Sequence, residues 1–335
     1  MKAAFRLALM LAGLALFAWF VARADLGAVW QAFERLGWLA PLALLPYALV
    51  YAADTAAWRF AFASGPAVGF GQLFRVRWSG EAVNNVVPSA YVGGEAVKVL
   101  LLRRRGVPLE VATTAAVVSK SAQTLAQVLF ISAGALAFTG VAPGNGALHR
   151  AMLTVVGLST GALIALFWLQ RRGLFTSLLG AGERLGLRLR ALTERRGRLE
   201  QLDCRIGAFY REHQGRFLGC AGVYFFGWLL DAVEILVVSR FMGVGMTWLQ
   251  ALAVEAFISV AKVLGLFVPG AVGVQESGVV LLCRLAGLPE PFGLAYALFR
   301  RGRELLYAAV GWAWLSLEEA SLPRLRQEAG ELTKG

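Results

Sequence analysis

Apolar residues run along this chain in blocks of roughly 20, the length a helix needs to cross a bilayer, and polar residues gather between the blocks. The pattern predicts six full crossings, at about 4–22, 38–57, 111–138, 151–170, 217–238 and 292–317. Two further apolar stretches, at about 72–104 and 250–285, are each split near the middle by a proline, Pro88 and Pro269. Proline removes a backbone donor and clashes with the preceding turn, so a helix breaks there. Each split stretch therefore predicts two half-helices that enter and leave on one side. Backbone freed at such a break is tolerated only where protein buries it or where it lines a wet cavity. The expected fold is an all-α integral membrane protein with about six transmembrane helices and two re-entrant helical hairpins. One transmembrane domain fills residues 1–335.

The two broken stretches are copies of one another. Residues 87–125 align with 268–306 at a constant offset of 181 and without a gap, with twelve identities. Val87, Pro88, Ala90, Glu95, Arg103, Gly106 and Pro108 recur as Val268, Pro269, Ala271, Glu276, Arg284, Gly287 and Pro289, and Lys120 recurs as Arg301. Interrupted apolar segments at matching places in two halves are a mark of transporters built from repeats. The first repeat spans about 38–138 and the second about 217–317. A duplication kept only for packing would leave the same pattern.

Charge orients the halves. The linker 171–216 holds eleven arginines and five acids, whereas loop 139–150 holds only Arg150 and loop 239–249 only Arg240. Cytoplasmic loops carry the excess of basic residues, which places 171–216 inside together with both termini. The first hairpin then dips from the cytoplasm and the second from outside, making an inverted repeat. Such repeats place a binding site near the midplane and permit alternating access. The linker itself reads either as amphipathic helix at the head-group surface or as a solvated connector.

Composition narrows the chemistry. The chain is 58% hydrophobic and 16% charged, against about 25% charged residues in soluble domains, and its mean hydropathy is +0.62. The net charge of +12 sits between apolar spans and is not interleaved with stacking aromatics. It points to acidic lipid head groups rather than to nucleic acid. Cys204, Cys220 and Cys283 form no CxxC, and His149 and His213 are the only histidines, so no metal site and no cofactor are implied. Ala22-Arg23-Ala24 resembles a signal-peptidase site, but the preceding apolar run is long and reads as a retained first span. Trp19, Trp38, Trp58, Trp168, Trp312 and Trp314 lie towards span ends and read as interface anchors.

Ionisable residues inside apolar spans are the functional candidates. Glu81, Asn84 and Asn85 share one helical face just before Pro88. Gly93, Gly94 and Glu95 follow the break, where free N–H groups can hold an anionic head group, or where glycine merely allows close helix packing. Lys120, Gln123 and Gln127 share a face of the third crossing. Arg300, Arg301, Arg303 and Glu304 crowd the matching crossing, with Gln275 and Glu276 before it. Glu276 and Glu304 are the expected partners of these arginines, and Glu95 that of Lys120. Two readings fit: a charged cavity for a phosphate-bearing head group, or salt bridges that fix the repeats together. Asp54, Asp231 and Glu234 are candidates for proton relay or coupling-ion binding, with capping near a span end favoured for Asp54. Lys262 must be paired.

Gly80-Glu81-Ala82-Val83-Asn84-Asn85-Val86-Val87-Pro88, then Gly93-Gly94-Glu95, and then Val268-Pro269-Gly270-Ala271-Val272-Gly273-Val274-Gln275-Glu276 resemble a known family. It is the lysylphosphatidylglycerol synthase transmembrane-region family of flippase-like membrane proteins, over residues from about 5 to 320. The Asn-Asn form and the Arg-x-Arg-Glu end are most similar to members associated with hopanoid biosynthesis. The resemblance implies movement of an anionic phospholipid or a hopanoid across a bacterial inner membrane. Larger members carry a soluble aminoacyl-transferase domain; none follows Leu317, so that activity is not carried over. A membrane-embedded head-group-modifying enzyme, or a scaffold for lipid-synthesis enzymes, are the alternatives, and a homo-oligomer is compatible with either.

Overall fold

The computed structural model describes residues 22, 25–65, 67–86, 92–141, 146–184, 196–264 and 273–317. The expected crossing at 4–22, nearly all of it, and the breaks at Pro88 and Pro269 lie outside the described residues. No strand occurs among those described. Four stretches among the described residues are long and apolar enough to cross a membrane: Leu26–Phe60, Leu109–Val141, Gly146–Arg171 and Gln214–Phe241. The chain is an all-α membrane protein. The expected crossing at 292–317 is also one long helix, but its central arginines set it apart from those four.

The first apolar stretch is built in pieces. Helix α1 (Leu26–Leu36) starts at Asp25, whose carboxylate accepts from the Ala28 N–H at 3.0 Å. It stops at Gly37, where φ is +39°, and Pro41 and Pro46 open α2 (Ala40–Ala43) and α3 (Leu45–Phe60). Proline fits a first turn and not a helix interior, so the chain restarts at each one. The crossing expected at 38–57 therefore belongs to a longer, segmented stretch.

Next come α4 (Phe70–Val86), α5 (Val92–Arg104), α6 (Leu109–Val141) and α7 (Gly146–Arg171). The linker forms α8 (Leu174–Arg184) and α9 (Arg196–Glu212). The second half is α10 (Gln214–Phe241), α11 (Trp248–Leu264), α12 (Val274–Leu285) and α13 (Glu290–Leu317).

The sequence repeat is also a repeat of backbone geometry. Helix α5 ends at Gly106, with φ +82°, and α12 ends at Gly287, with φ +74°. Gly106 N–H donates to Arg103 O at 2.9 Å and Val107 N–H to Leu102 O at 3.1 Å. Gly287 N–H donates to Arg284 O at 3.0 Å and Leu288 N–H to Cys283 O at 2.9 Å. A left-handed residue closes a helix this way, and glycine adopts that conformation without a steric penalty. Pro108 and Pro289 then precede α6 and α13, their carbonyls accepting from Ala112 and Gly293. The shared glycine and proline are thus one turn made twice.

Helices α4 and α5 pack together as two arms, and so do α11 and α12. The matching helices α3 and α10 pack against each other, α4 lies on α13, and α11 lies on α6. Each half thus lends its first arm to the long helix of the other. Small residues permit the approach: a Cβ on Gly311 would meet Ala82 and the Trp78 carbonyl, and one on Gly134 would meet Ala256. The apolar core forms two clusters, one around Leu73, Val76, Leu101 and Leu102 and the other around Val254, Ile258, Val279 and Val280.

The described part of the linker is packed helix rather than a solvated connector. Helix α9 lies on α8, and Asp203 accepts from the N–H groups of Phe175 and Thr176 at 3.1 and 3.0 Å, capping α8. Tyr210 donates to Gln170 Oε1 at 2.9 Å, and Gln170 donates to Ser121 Oγ at 2.7 Å, tying the linker to α7 and α6. Burial pushes the Tyr210 phenol up to about 12. Leu153, Leu158, Ile164 and Trp168 on α7 are exposed, as is Trp38. Trp58, expected as an interface anchor, is instead 2% exposed. It stands inside the apolar cluster where α3 packs on α10.

Candidate functional site

Helix α3 places Asp54 against α10 at Gly227, and α4 places Arg77 and Glu81 one turn apart on one face. Asp54 pairs with Arg77. The position near a span end does not make it a cap, because Arg77, only 4% exposed, comes from the next helix to meet it. Arg77 also reaches Glu81 at 3.2 Å; Glu81 binds Lys98 Nζ at 2.7 Å, and Lys98 binds Glu95 at 2.8 Å. The first half thus carries an alternating chain of acids and bases, Asp54, Arg77, Glu81, Lys98 and Glu95. Charges in a low-dielectric interior are tolerated when paired in this way.

The other residues expected here divide. Asn84, 9% exposed, accepts the Gly94 N–H at 2.8 Å. That corrects the expectation of a free donor at Gly94. A Cβ there would lie 2.2 Å from the Gly80 carbonyl oxygen, so this glycine serves the close contact between the hairpin arms. Asn85 and Gly93 are half-buried beside it. Lys120 donates to Gln123 at 3.0 Å. Glu95 takes Lys98 as a partner, and Lys120 faces the same small recess.

The second half carries tighter pairs. Arg303 pairs with Glu234, both side chains fully buried, and Arg300 pairs with Glu255 at 2.5 Å. Arg301 Nε donates to Glu276 at 2.6 Å and its Nη1 reaches Glu304 at 3.2 Å. Glu304 also accepts from Gln275 at 2.8 Å and lies 3.4 Å from Lys262 Nζ, so Lys262 is paired as required. Arg300 and Arg303, expected to line the cavity, are 2% and 1% exposed. They stand behind its wall, neutralised by Glu255 and Glu234. The Arg303 guanidinium lies 3.4 Å from the centre of the Tyr47 ring, a cation–π contact.

Between the halves lies a polar cavity of about 120 Å³. Tyr47, Tyr51 and Asp54 from α3, Arg77 and Glu81 from α4, and Gln123 from α6 form one side. Tyr224 and Asp231 from α10 and Lys262 from α11 form the other. A smaller recess shares Arg77, Gln123 and Tyr224 with it and extends to Glu95, Lys98 and Lys120. A polar cavity of this size is roomy enough for ordered water.

Sequence reasoning missed Arg77, Lys98, Glu255 and the tyrosines. Arg77 and Lys98 had a signal, since they stand four and three residues from Glu81 and Glu95 on helices already singled out. Glu255 had one too, a carboxylate seven residues before Lys262 in an apolar arm. Among the described residues, no group of three or more His, Cys, Asp or Glu is placed to hold a metal ion.

No curated protein and no solved structure matches the chain. The family described as the lysylphosphatidylglycerol synthase TM region matches it over residues 5–311, nearly its whole length. The packed helix pairs and the charged cavity between them are therefore features of a membrane protein with a lipid-related role, and the chain belongs to the lysylphosphatidylglycerol synthase transmembrane-region family.

Proposed function

We propose that this protein moves a polar lipid between the leaflets of a bacterial inner membrane by alternating access. The observation that carries the reading is the polar cavity, which two repeated halves build jointly and wall with both signs of charge. A lipid with an anionic phosphate finds Arg77 and Lys262 there, and a hydroxylated hopanoid finds tyrosines and carboxylates. At about 120 Å³ the space is smaller than the roughly 300 Å³ of small-ligand pockets, so a head group enters when the halves separate on one side, its tails staying in the bilayer. The proposed topology sets hairpin α4–α5 dipping from the cytoplasm and α11–α12 from outside, with 171–216 and both termini cytoplasmic. Rocking one half against the other then exposes the cavity to each face in turn.

The reading assigns no covalent chemistry to the chain. Most of the acids, bases and phenols of the cavity are engaged in ion pairs and ring contacts, an arrangement suited to binding and release. The test is reconstitution of the full chain in liposomes containing fluorescent phosphatidylglycerol, with a membrane-impermeant quencher outside. The expected outcome is bleaching of inner-leaflet lipid faster than in protein-free vesicles; equal rates would sink the proposal. A parallel set with a fluorescent hopanoid distinguishes the two substrate classes.

A further inference from the structure

The paired charges of the two halves leave one carboxylate over. Asp54, Glu81 and Glu95 meet Arg77 and Lys98 directly, with Lys120 facing the same recess. Glu234, Glu255, Glu276 and Glu304 meet Arg303, Arg300, Arg301 and Lys262. Asp231 is the remaining acid. It is 6% exposed, it lines the cavity, and its Oδ1 has no hydrogen-bond partner among the described residues. Every other carboxylate in the two clusters has a cation on it.

Its surroundings explain why no cation serves it. From α3 it faces Tyr47, Tyr51 and Asp54; from α4, Arg77 and Glu81; from α6, Gln123. Helix α11 presents Glu255 and Lys262, helix α13 presents Arg300, Arg303 and Glu304, and its own helix presents Tyr224 and Glu234. Arg300 and Arg303 are held by Glu255 and Glu234, Arg77 by Asp54 and Glu81, and Lys262 lies against Glu304. Burying an ionised carboxylate without a partner is unfavourable, and such a group takes up a proton instead.

We propose that Asp231 is a reversible proton-binding site, and that its occupancy sets the charge of the cavity shared by the two halves. Its role in driving transport rests on the lipid-translocation reading above. With the proton on, the four cations of the second cluster meet four carboxylates and the cluster is neutral. With the proton off, the carboxylate gains a negative charge, and it competes with Glu304 for Lys262, the cation that lines the same cavity. The step is the uptake and release of one proton by the carboxylate oxygen, exchanged with water in the cavity. An anionic head group is admitted more readily when Asp231 is neutral, so one proton accompanies the lipid.

The test is infrared difference spectroscopy of the full chain in phosphatidylglycerol nanodiscs, titrated between about pH 5 and pH 9. The expected result is the carbonyl stretch of a protonated carboxylic acid that grows on acidification, shifts with carbon-13-labelled aspartate and is lost in Asp231→Asn. Persistence of that band in the folded variant, or its absence from the parent over the whole range, overturns the assignment. If Asp231→Asn does not fold, Asp231→Glu decides. The band must then follow labelled glutamate, and a band that still follows labelled aspartate overturns the site. This readout involves no lipid movement, so vesicles that fail to translocate lipid sink the transport reading without touching the proton site. Where both hold, an imposed gradient shifts fluorescent phosphatidylglycerol between leaflets by up to about tenfold per pH unit, and Asp231→Asn loses that response. An undiminished response in the variant overturns the coupling.

Discussion

The two halves share a helix-ending turn and a pattern of helix contacts, and differ in how they house charge. In the first, the acids Asp54, Glu81 and Glu95 keep side-chain exposures of 14%, 23% and 24%. In the second, Glu234 and Glu255 are at 0%, Glu276 at 6% and Glu304 at 12%. Two positions show how the copies diverged. Glu95 and Glu276 match at the repeat offset and both sit in the first turn of a second hairpin arm. Glu81 and Lys262 also match at that offset, carry opposite charges and both line the cavity. The bases run the other way, Arg77 and Lys98 at 5% and 6% against Arg301 and Lys262 at 21% and 26%, so a duplicated scaffold can keep its turns while each copy leaves a different sign of charge the more exposed. Removing half of a fully buried ion pair leaves an uncompensated charge, whereas a partly hydrated one is relieved by water.

The largest effect is expected at the fully buried pair of the second half, Arg303 with Glu234. Arg303→Met leaves Glu234 charged and buried, and loss of about 3–5 kcal/mol is expected, read as a fall in the thermal unfolding midpoint in detergent. Adding Glu234→Gln should restore most of it; a single variant as stable as the parent would erase the distinction between the halves. Next comes the hairpin contact. Gly94→Ala sets a methyl 2.2 Å from the Gly80 carbonyl oxygen, and overpacking of this kind costs about 1–3 kcal/mol. The thermal unfolding midpoint in detergent should fall, and an unchanged midpoint would show that the arms part freely. In the first half, Lys98→Met strips a buried base from two partly exposed carboxylates and is expected to cost about 1.5–3 kcal/mol, and to slow lipid translocation on the same vesicle assay. A folded variant that translocates lipid at the parental rate would show that Lys98 only holds the arms together.

The smallest effect belongs to the linker. Tyr210 has its phenol pushed up to about 12 from 10.0 by burial, so the folded chain holds that proton where the unfolded chain releases it. Its contribution is fully present below pH 10 and is lost as pH rises through about 12. Tyr210→Phe should flatten that alkaline limb of the unfolding midpoint; an unchanged limb would place the titration elsewhere.

Much of this was legible beforehand because it is written in local chemistry. Gly106 with Pro108, and Gly287 with Pro289, announce a helix stop and restart wherever they stand in a chain, and the fixed offset follows from counting. The pairs between remote helices were not legible. Arg77 finds Asp54, Arg303 finds Glu234 and Arg300 finds Glu255 only after α4 meets α3 and α13 meets α10 and α11. Sequence spacing says nothing about which helices will touch. Trp58 misled for the same reason: a tryptophan near a span end fits an interface belt, but packing of α3 on α10 removed it from the surface. Asp231 was visible as an intramembrane acid, and only the pairing of its neighbours singled it out from Asp54 and Glu234.

Helix α7 has a consequence for ancestry. Its 26 residues are the least buried of the four apolar stretches, with 11% of its apolar window inside the protein. In the proposed topology each repeat crosses the bilayer twice, so tandem copies joined directly would insert the same way up. One additional crossing reverses the second copy. A spacer that packs little and needs only to be greasy and long is a simple genetic change, and it suffices to turn a doubled gene product into a pair of halves that face opposite sides.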